Sequence, residues 1–238
     1  MKVLISTFDK WSILWDPFAH SWTHFFPDCP WEVKFITNEK DAPLDGAIKV
    51  GPNPNWTTMT RNALSQVEDD TVLFIHEDCW LVHPVNIKPL IDFAGIVDRG
   101  EADIVRIYLS YQHLQGGAGI YEPDPRLYRV DPSFPYAVNL QASFWNRKIF
   151  LSLLKDGEGC WPFETTGSYR AKLLGVRTLC LDAGTVPAEY DDMAYLCYIN
   201  AVCRGYWRLG LRGDTRLGDL IVKSTEVPEE LRKAINYV

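Results

Sequence analysis

Apolar residues in this chain come in short blocks whose spacing alternates between strand and helix periods. Val3 to Thr7 reads as a first strand, Glu32 to Thr37 as a second and Asp45 to Val50 as a short third. The third is closed by Gly51-Pro52-Asn53-Pro54-Asn55, a clear loop signal. Met59, Ala63 and Val67 recur at four-residue spacing, which predicts a helix over Thr58 to Val67. Thr71 to Ile75 has the composition of a strand buried on both faces. Asn86 to Asp98 places Ile87, Leu90, Ile91, Ala94 and Val97 at helical spacing, and Asp103 to Leu109 returns to strand composition. Strands alternating with helices predict βαβ units: an α/β, Rossmann-like architecture with a mostly parallel central sheet flanked by helices.

The second half is less regular. From Ser110 to Pro135, Gly116-Gly117-Ala118-Gly119 and Pro123, Pro125, Pro132 and Pro135 break any long element. No Lys-Ser/Thr follows the glycines, so they are not a phosphate-binding P-loop, and Gln115 to Gly119 reads as a mobile or substrate-covering loop. Tyr136 to Trp145 is strand-like and Arg147 to Leu154 a short helix. Trp161-Pro162-Phe163-Glu164 opens a helix that runs through Ser168 to Leu174 and stops at Gly175. Val176 to Leu181 is a strand, and Pro228-Glu229-Glu230-Leu231 starts a closing helix with proline in its first turn. No repeat, low-complexity tract or linker interrupts the 238 residues, so a single domain is expected over 1–238.

Composition narrows the classes. A formal net charge of −7 provides no broad electrostatic footprint for nucleic acid or an anionic membrane. The 9 Trp, 11 Tyr and 11 Phe suit a stacking pocket, and equally an ordinary core. The 6 Cys form no CxxC pair, which favours reduced core thiols over a zinc site or a disulfide framework. No signal peptide precedes the first strand and no apolar run reaches spanning length, so a soluble cytoplasmic protein is expected.

The chemistry starts at His76-Glu77-Asp78, where the most apolar strand ends abruptly in two carboxylates. In open α/β sheets ligands bind in the crevice beyond the strand ends. Paired acids there can hold a divalent cation against a phosphate-bearing substrate; the other reading is that they open a solvated loop. Ser6-Thr7-Phe8 ends the first strand in the same way, and Trp11 is a possible stacking partner; packing is the alternative for Phe8 and Trp11, and a turn role the alternative for Asn38.

In order and spacing, Thr60-Arg61-Asn62, Val72 to Ile75, Glu77-Asp78 and the Pro162-Phe163-Glu164 helix start resemble the GT-A-type nucleotide-sugar-dependent glycosyltransferases. The likeness spans about Lys2 to Leu181, and extends to bacterial and viral transferases with a Glu-Asp pair and a Pro-Phe-Glu motif. It implies a donor half over about 1–110 and an acceptor half over about 111–238. In that family the acidic motif is usually Asp-x-Asp; here Asp78 matches its last, metal-binding acid, His76 replaces the first, and Glu77 is the candidate substitute for the ribose contact. The resemblance further implies a nucleobase pocket begun by Ser6, Thr7 and Phe8, a base or ribose contact at Asn38, and donor contacts at Trp11, Arg61 and His76. Glu164 would be the general base, with Trp161 and Phe163 desolvating it and both contacting the acceptor, on which Trp161 would stack. A first-turn position favoured by the helix dipole is the other reading of Glu164. Arg204 or Arg208 would bind the leaving diphosphate, or simply end an amphipathic helix. The implied function is transfer of a sugar, from a UDP-sugar by preference, to an acceptor hydroxyl with inversion and with Mn²⁺ or Mg²⁺. The acceptor is a glycan, a lipid-linked sugar or a hydroxylated base in viral DNA. A nucleotidyltransferase and a non-catalytic nucleotide- or sugar-binding module are the alternatives.

Overall fold

In the computed structural model, residues 1–52, 55–81, 84–110 and 116–182 are described, together with the backbone of short strands at 198–200, 202–203 and 206–207. Arg204, Arg208 and the closing helix expected at Pro228 lie outside the described residues.

The apolar blocks become strands for the reason their composition suggests. β1 (Lys2–Ser6), β2 (Glu32–Thr37), β3 (Ala47–Lys49) and β4 (Thr71–His76) pair in parallel, with Ser6 opposite His76 in register. Successive side chains of a strand point to opposite faces. Val3, Ile5, Leu73 and Ile75 therefore join one core cluster, with α1 (Trp15–Phe25) and α3 (Ile87–Asp98). Leu4, Val72 and Phe74 join the other, with α2 (Trp56–Ser65), α4 (Arg147–Leu153) and α5 (Cys160–Leu174). Burying each large apolar side chain contributes roughly 1.5–3 kcal/mol.

The strand order is β3-β2-β1-β4-β9-β6-β10-β8-β7, where β6 is Ile104–Ser110, β7 Gly117–Ile120, β8 Leu127–Val130, β9 Ser143–Asn146 and β10 Thr178–Asp182. From β1 the chain steps outward through β2 to β3, then returns across β1 to β4. The carboxyl ends of β1 and β4 therefore flank a topological switch point.

Parallel pairing holds in this first half and between β6 and β10, whereas β9 runs antiparallel to both β4 and β6, and β8 and β7 close the far edge antiparallel. The sheet is thus mixed. A segment wedged between two strands in reverse direction leaves no mark in local periodicity, and β9 is the part of Tyr136 to Trp145 that forms a strand. The glycine-rich run also differs from expectation. Residues 117–120 form edge strand β7, about 24 Å from β4 at the usual spacing between strands, too far to cover the β1–β4 crevice. Gly116 is needed there: its φ is +68°, and a Cβ would meet the Phe134 side chain at 2.6 Å. Gln115 lies outside the described residues.

Several elements went unread in the sequence. A 3₁₀ turn over Asp9–Leu14 leads into α1, where Trp15, Phe18, Ala19 and Trp22 form a helical stripe that Pro17, in the first turn, does not interrupt. After Asp78 the chain enters β5 (Cys79–Leu81), paired antiparallel with β11 (Tyr198–Asn200). β12 (Val202–Cys203) and β13 (Tyr206–Trp207) form a separate ladder. Among the described residues no helix is long and apolar enough to cross a membrane.

Candidate functional site

Glu77 and Asp78 form the turn between β4 and β5, on the carboxyl side of the switch point. Glu77 is 8% exposed. Its backbone N–H donates to the Ser6 carbonyl (3.3 Å) and its carbonyl accepts from the Trp80 indole (3.0 Å), so the turn is stitched to β1 and β5. Burial, and then the charge of Asp78, push the Glu77 carboxyl up to about 8; a hydrogen bond from Thr7 and the charge of Lys10 oppose this. Two adjacent carboxylates, one of them raised by the other in a buried turn, are an arrangement that a cation would relieve. Asp78 is half-buried, and its Oδ1 accepts from the Cys79 thiol. Burial lowers the His76 imidazole towards its neutral form, with Asp78 opposing, and its Nδ1 lies 4.0 Å from Glu77 Oε2.

The β1 end meets this turn. The Thr7 hydroxyl accepts from the Trp15 indole (2.8 Å) and that of Ser6 from the Trp56 indole (3.0 Å); both residues are buried and help fix tryptophans at the end of β1. Phe8 and Trp11 are each half-buried, and Lys10 Nζ lies 5.3 Å and 5.5 Å from their ring centroids. Asn38 is tied to Asp9: its side-chain oxygen takes the Asp9 N–H (3.1 Å), its backbone N–H reaches the Asp9 carboxylate (2.9 Å), and its amide donates to the Gly51 carbonyl. That lock holds the end of β2 against the turn after β1. Arg61 is committed elsewhere, to Asp156 (3.2 Å) and the Leu154 carbonyl (2.6 Å), bracing the α4–α5 connection.

Glu164 arrives from α5. That helix is seated by the bidentate Arg170–Glu158 pair (2.8 and 2.6 Å) and by Thr57, which donates to the Glu158 carbonyl from the start of α2. Glu164 Oε1 accepts the Leu140 N–H (2.9 Å), and burial raises its carboxyl while that bond and the Arg106 charge lower it. Its other oxygen makes no bond among the described residues. The two flanking aromatics separate sharply. Trp161 is 66% exposed, open to a stacking partner. Phe163 is fully buried, 5.2 Å from the Trp56 ring and packed on Phe150, so its expected contact with an acceptor is corrected to a core role beneath Glu164.

Trp56 links the two acidic constellations: its indole donates to Ser6 Oγ at the end of β1 (3.0 Å), and its ring packs 5.2 Å from Phe163, the neighbour of Glu164. The Cys160 thiol, at the first position of α5, is raised by burial and by the charges of both Glu164 and Glu77. Cys160 and the fully buried Arg106 were not singled out in the sequence; an isolated cysteine and a strand arginine carry no motif. A separate hollow of about 480 Å³, lined among others by Asp92, Arg99, Glu101, Tyr121, Asp124 and Arg126, includes none of the expected site residues.

Among the described residues, no group of three or more His, Cys, Asp and Glu side chains is arranged to hold a metal ion. The donor set at Glu77-Asp78 nevertheless fits a hard divalent cation of the kind that takes one or two carboxylates and completes its shell with water and substrate phosphates.

Solved structures similar to this chain include an active-site mutant of LgtC, 15% identical, with a TM-score of 0.50, covering 98% of this chain and all of that one. S. aureus TarS 1-349 follows at 14% identity and 0.48, covering 99% of this chain and 69% of that one. This chain has the LgtC fold. It is the fold that the resemblance to GT-A-type glycosyltransferases implies, with a central sheet flanked by helices. LgtC itself has been solved as a galactosyltransferase with donor and acceptor sugar analogs. No protein-family model and no curated protein matches this chain.

Proposed function

We propose that this chain is a nucleotide-sugar-dependent glycosyltransferase that transfers a sugar from a UDP-sugar to an acceptor hydroxyl with inversion. The observation that carries the reading is the pair of acidic positions, Glu77-Asp78 at the switch point and Glu164 in the second turn of α5, joined through Trp56, which bonds Ser6 Oγ and packs on Phe163. The LgtC-like fold supports it.

In this reading the nucleotide lies over the β1 end, with Phe8 and Trp11 against the base and Ser6, Thr7 and His76 at the floor. Asp78, with Glu77 beside it, would hold Mn²⁺ or Mg²⁺, which when bound offsets the negative charge growing on the departing diphosphate. Lys10 adds a positive charge at the same mouth. Trp161 stacks on the acceptor. Glu164, held by Leu140 through one oxygen, takes the hydroxyl proton on the other as that hydroxyl attacks the anomeric carbon in line and the bond to the diphosphate breaks. Burial raises the basicity of Glu164 towards the working range. Asn38 and Arg61 support the site through Asp9 and Asp156, and Arg204 is kept as a diphosphate ligand on sequence grounds alone. One domain, cytoplasmic, with a glycan acceptor, completes the proposal; no observation favours a hydroxylated DNA base.

The test is UDP release from a panel of UDP-sugars with Mn²⁺ or Mg²⁺ and no added acceptor, in wild type, Asp78→Ala and Glu164→Gln. Metal-dependent release from one donor, lost in Asp78→Ala, is the expected result. Failure of every donor to turn over or to raise the melting temperature would overturn the donor-site reading.

A further inference from the structure

Arg106 is a fully buried cation on β6 that the mechanism above does not use. It lies in the middle of the sheet, opposite Ser143 of β9 on one side and Cys180 of β10 on the other. Its Nη1 donates to the carbonyl of Tyr136 (3.4 Å). Tyr136 belongs to the segment 131–142, which crosses α5 and is held there by two further bonds: Val138 N–H to Ser168 Oγ (2.9 Å) and Leu140 N–H to Glu164 Oε1 (2.9 Å). The same short segment is therefore gripped by Arg106 from the sheet and by Glu164 from the helix. A buried arginine is costly to desolvate unless charges and carbonyls answer it. Glu164 is one of the groups that does so, since the Arg106 charge favours its carboxylate.

We propose that Arg106 is the positioning residue of the site: from beneath the 131–142 segment it fixes where Glu164 sits and keeps it charged for proton abstraction. The inference rests on the reading of Glu164 as the base. Arg106 itself touches neither donor nor acceptor. Other titratable and charged groups bear on the region: the buried Asp182 of β10 acts together with Arg106 on Cys180 of the same strand and on Tyr128 of β8. Cys160 lies one turn back on the same helix, Glu77 reaches that thiol from β4, and Arg170 is neutralised by Glu158 on the flank of α5. On the 131–142 segment, Asp131 is turned to Ser133, and the Arg106 charge is the one that favours the Glu164 carboxylate.

The test reads Glu164 directly, by ¹³C NMR titration of protein labelled at the glutamate carboxyl carbons, with the Glu164 signal assigned from its loss in Glu164→Gln. In Arg106→Met the midpoint should move to higher pH by about one unit, the usual effect of deleting a nearby opposite charge. Arg106→Lys should restore most of that shift. Arg106→Gln serves as the neutral variant should Arg106→Met fail to fold. Ser168→Ala loosens the same segment but keeps the cation, and its midpoint should stay with wild type. The acid limb of the pH profile for UDP release from UDP-glucose or UDP-galactose with Mn²⁺ should follow the NMR midpoints, with KM for the donor unchanged. An unmoved midpoint in the neutral variants, or an equal movement in Ser168→Ala, would overturn the proposal. A midpoint that moves while UDP release ignores Glu164→Gln supports the coupling of Arg106 to Glu164 and removes the functional reading instead.

Discussion

Two regions of this molecule are dense in charge, and they differ in how the charges are answered. In the hollow beside α3, Arg126 makes a bidentate pair with Asp124 (2.8 and 2.6 Å) and approaches Asp92 (3.5 Å), while Glu101 receives both Arg99 and the Tyr121 hydroxyl. Every cation there has an acid beside it. At the switch point Glu77 and Asp78 stand side by side, and burial with the Asp78 charge raises the Glu77 carboxyl to about 8 although Thr7 and Lys10 oppose it. Charges that neutralise one another fasten structure, whereas like charges gathered in a buried crevice are tolerated where a ligand supplies the balance. The hollow beside α3 is thus the weaker candidate, and the contrast can be broken or sharpened by experiment.

The largest effect is expected at Glu164. Glu164→Gln should lower the rate of UDP release by roughly 10²–10⁴-fold, the usual contribution of a general base, with donor binding unchanged. A steady-state comparison giving an equal rate would assign Glu164 to holding Leu140 alone. Asp78→Ala should follow, with a loss of roughly 10²–10³-fold, and the metal dependence should vanish with it; calorimetric titration of Mn²⁺ into wild type and variant checks the second half.

Glu77 offers a pH signature. Its folded pKa, about 8, lies above the ordinary value of 4.5, so the folded state binds the proton more tightly than the unfolded chain. The resulting stability is fully present below about pH 4.5 and is lost as pH rises through 8, up to roughly 5 kcal/mol as an upper bound. In metal-free buffer, Glu77→Gln should therefore melt higher than wild type at pH 9 and show no advantage at pH 4. Parallel melting curves for the two proteins would contradict the account of Glu77 as a buried, uncompensated acid. The smallest effect belongs to the other region. Arg126→Ala breaks a partly exposed ion pair and should cost about 1 kcal/mol or less in urea unfolding, leaving UDP release untouched. A large loss of activity in that variant would reverse the ranking of the two regions.

Much of the architecture was legible because its causes are local. β2 matches the expected Glu32 to Thr37, α3 begins at its Asn86 cap, and α5 ends at Gly175, whose φ of +68° suits a residue without Cβ. Pairing direction was not legible, since β9 and the β7–β8 hairpin depend on partners far along the chain. The site divides in the same way. Glu77, Asp78 and Glu164 announced themselves through the apolar sequence around them. That Trp161 is open while Phe163 is sealed in the core depends on helix phase, which two residues of spacing settle only once the helix is docked.

The sequence by itself determined most of the strands and helices and where acids interrupt them, because propensity, caps and burial of apolar blocks act over a few residues. Only the tertiary structure decided what those acids face. It placed β1 beside β4 at a switch point, brought α5 across so that Glu164 and Glu77 both bear on Cys160, and set Arg106 beneath the segment that Glu164 holds. Charge interactions act through space between residues distant in the chain, and no local pattern encodes them.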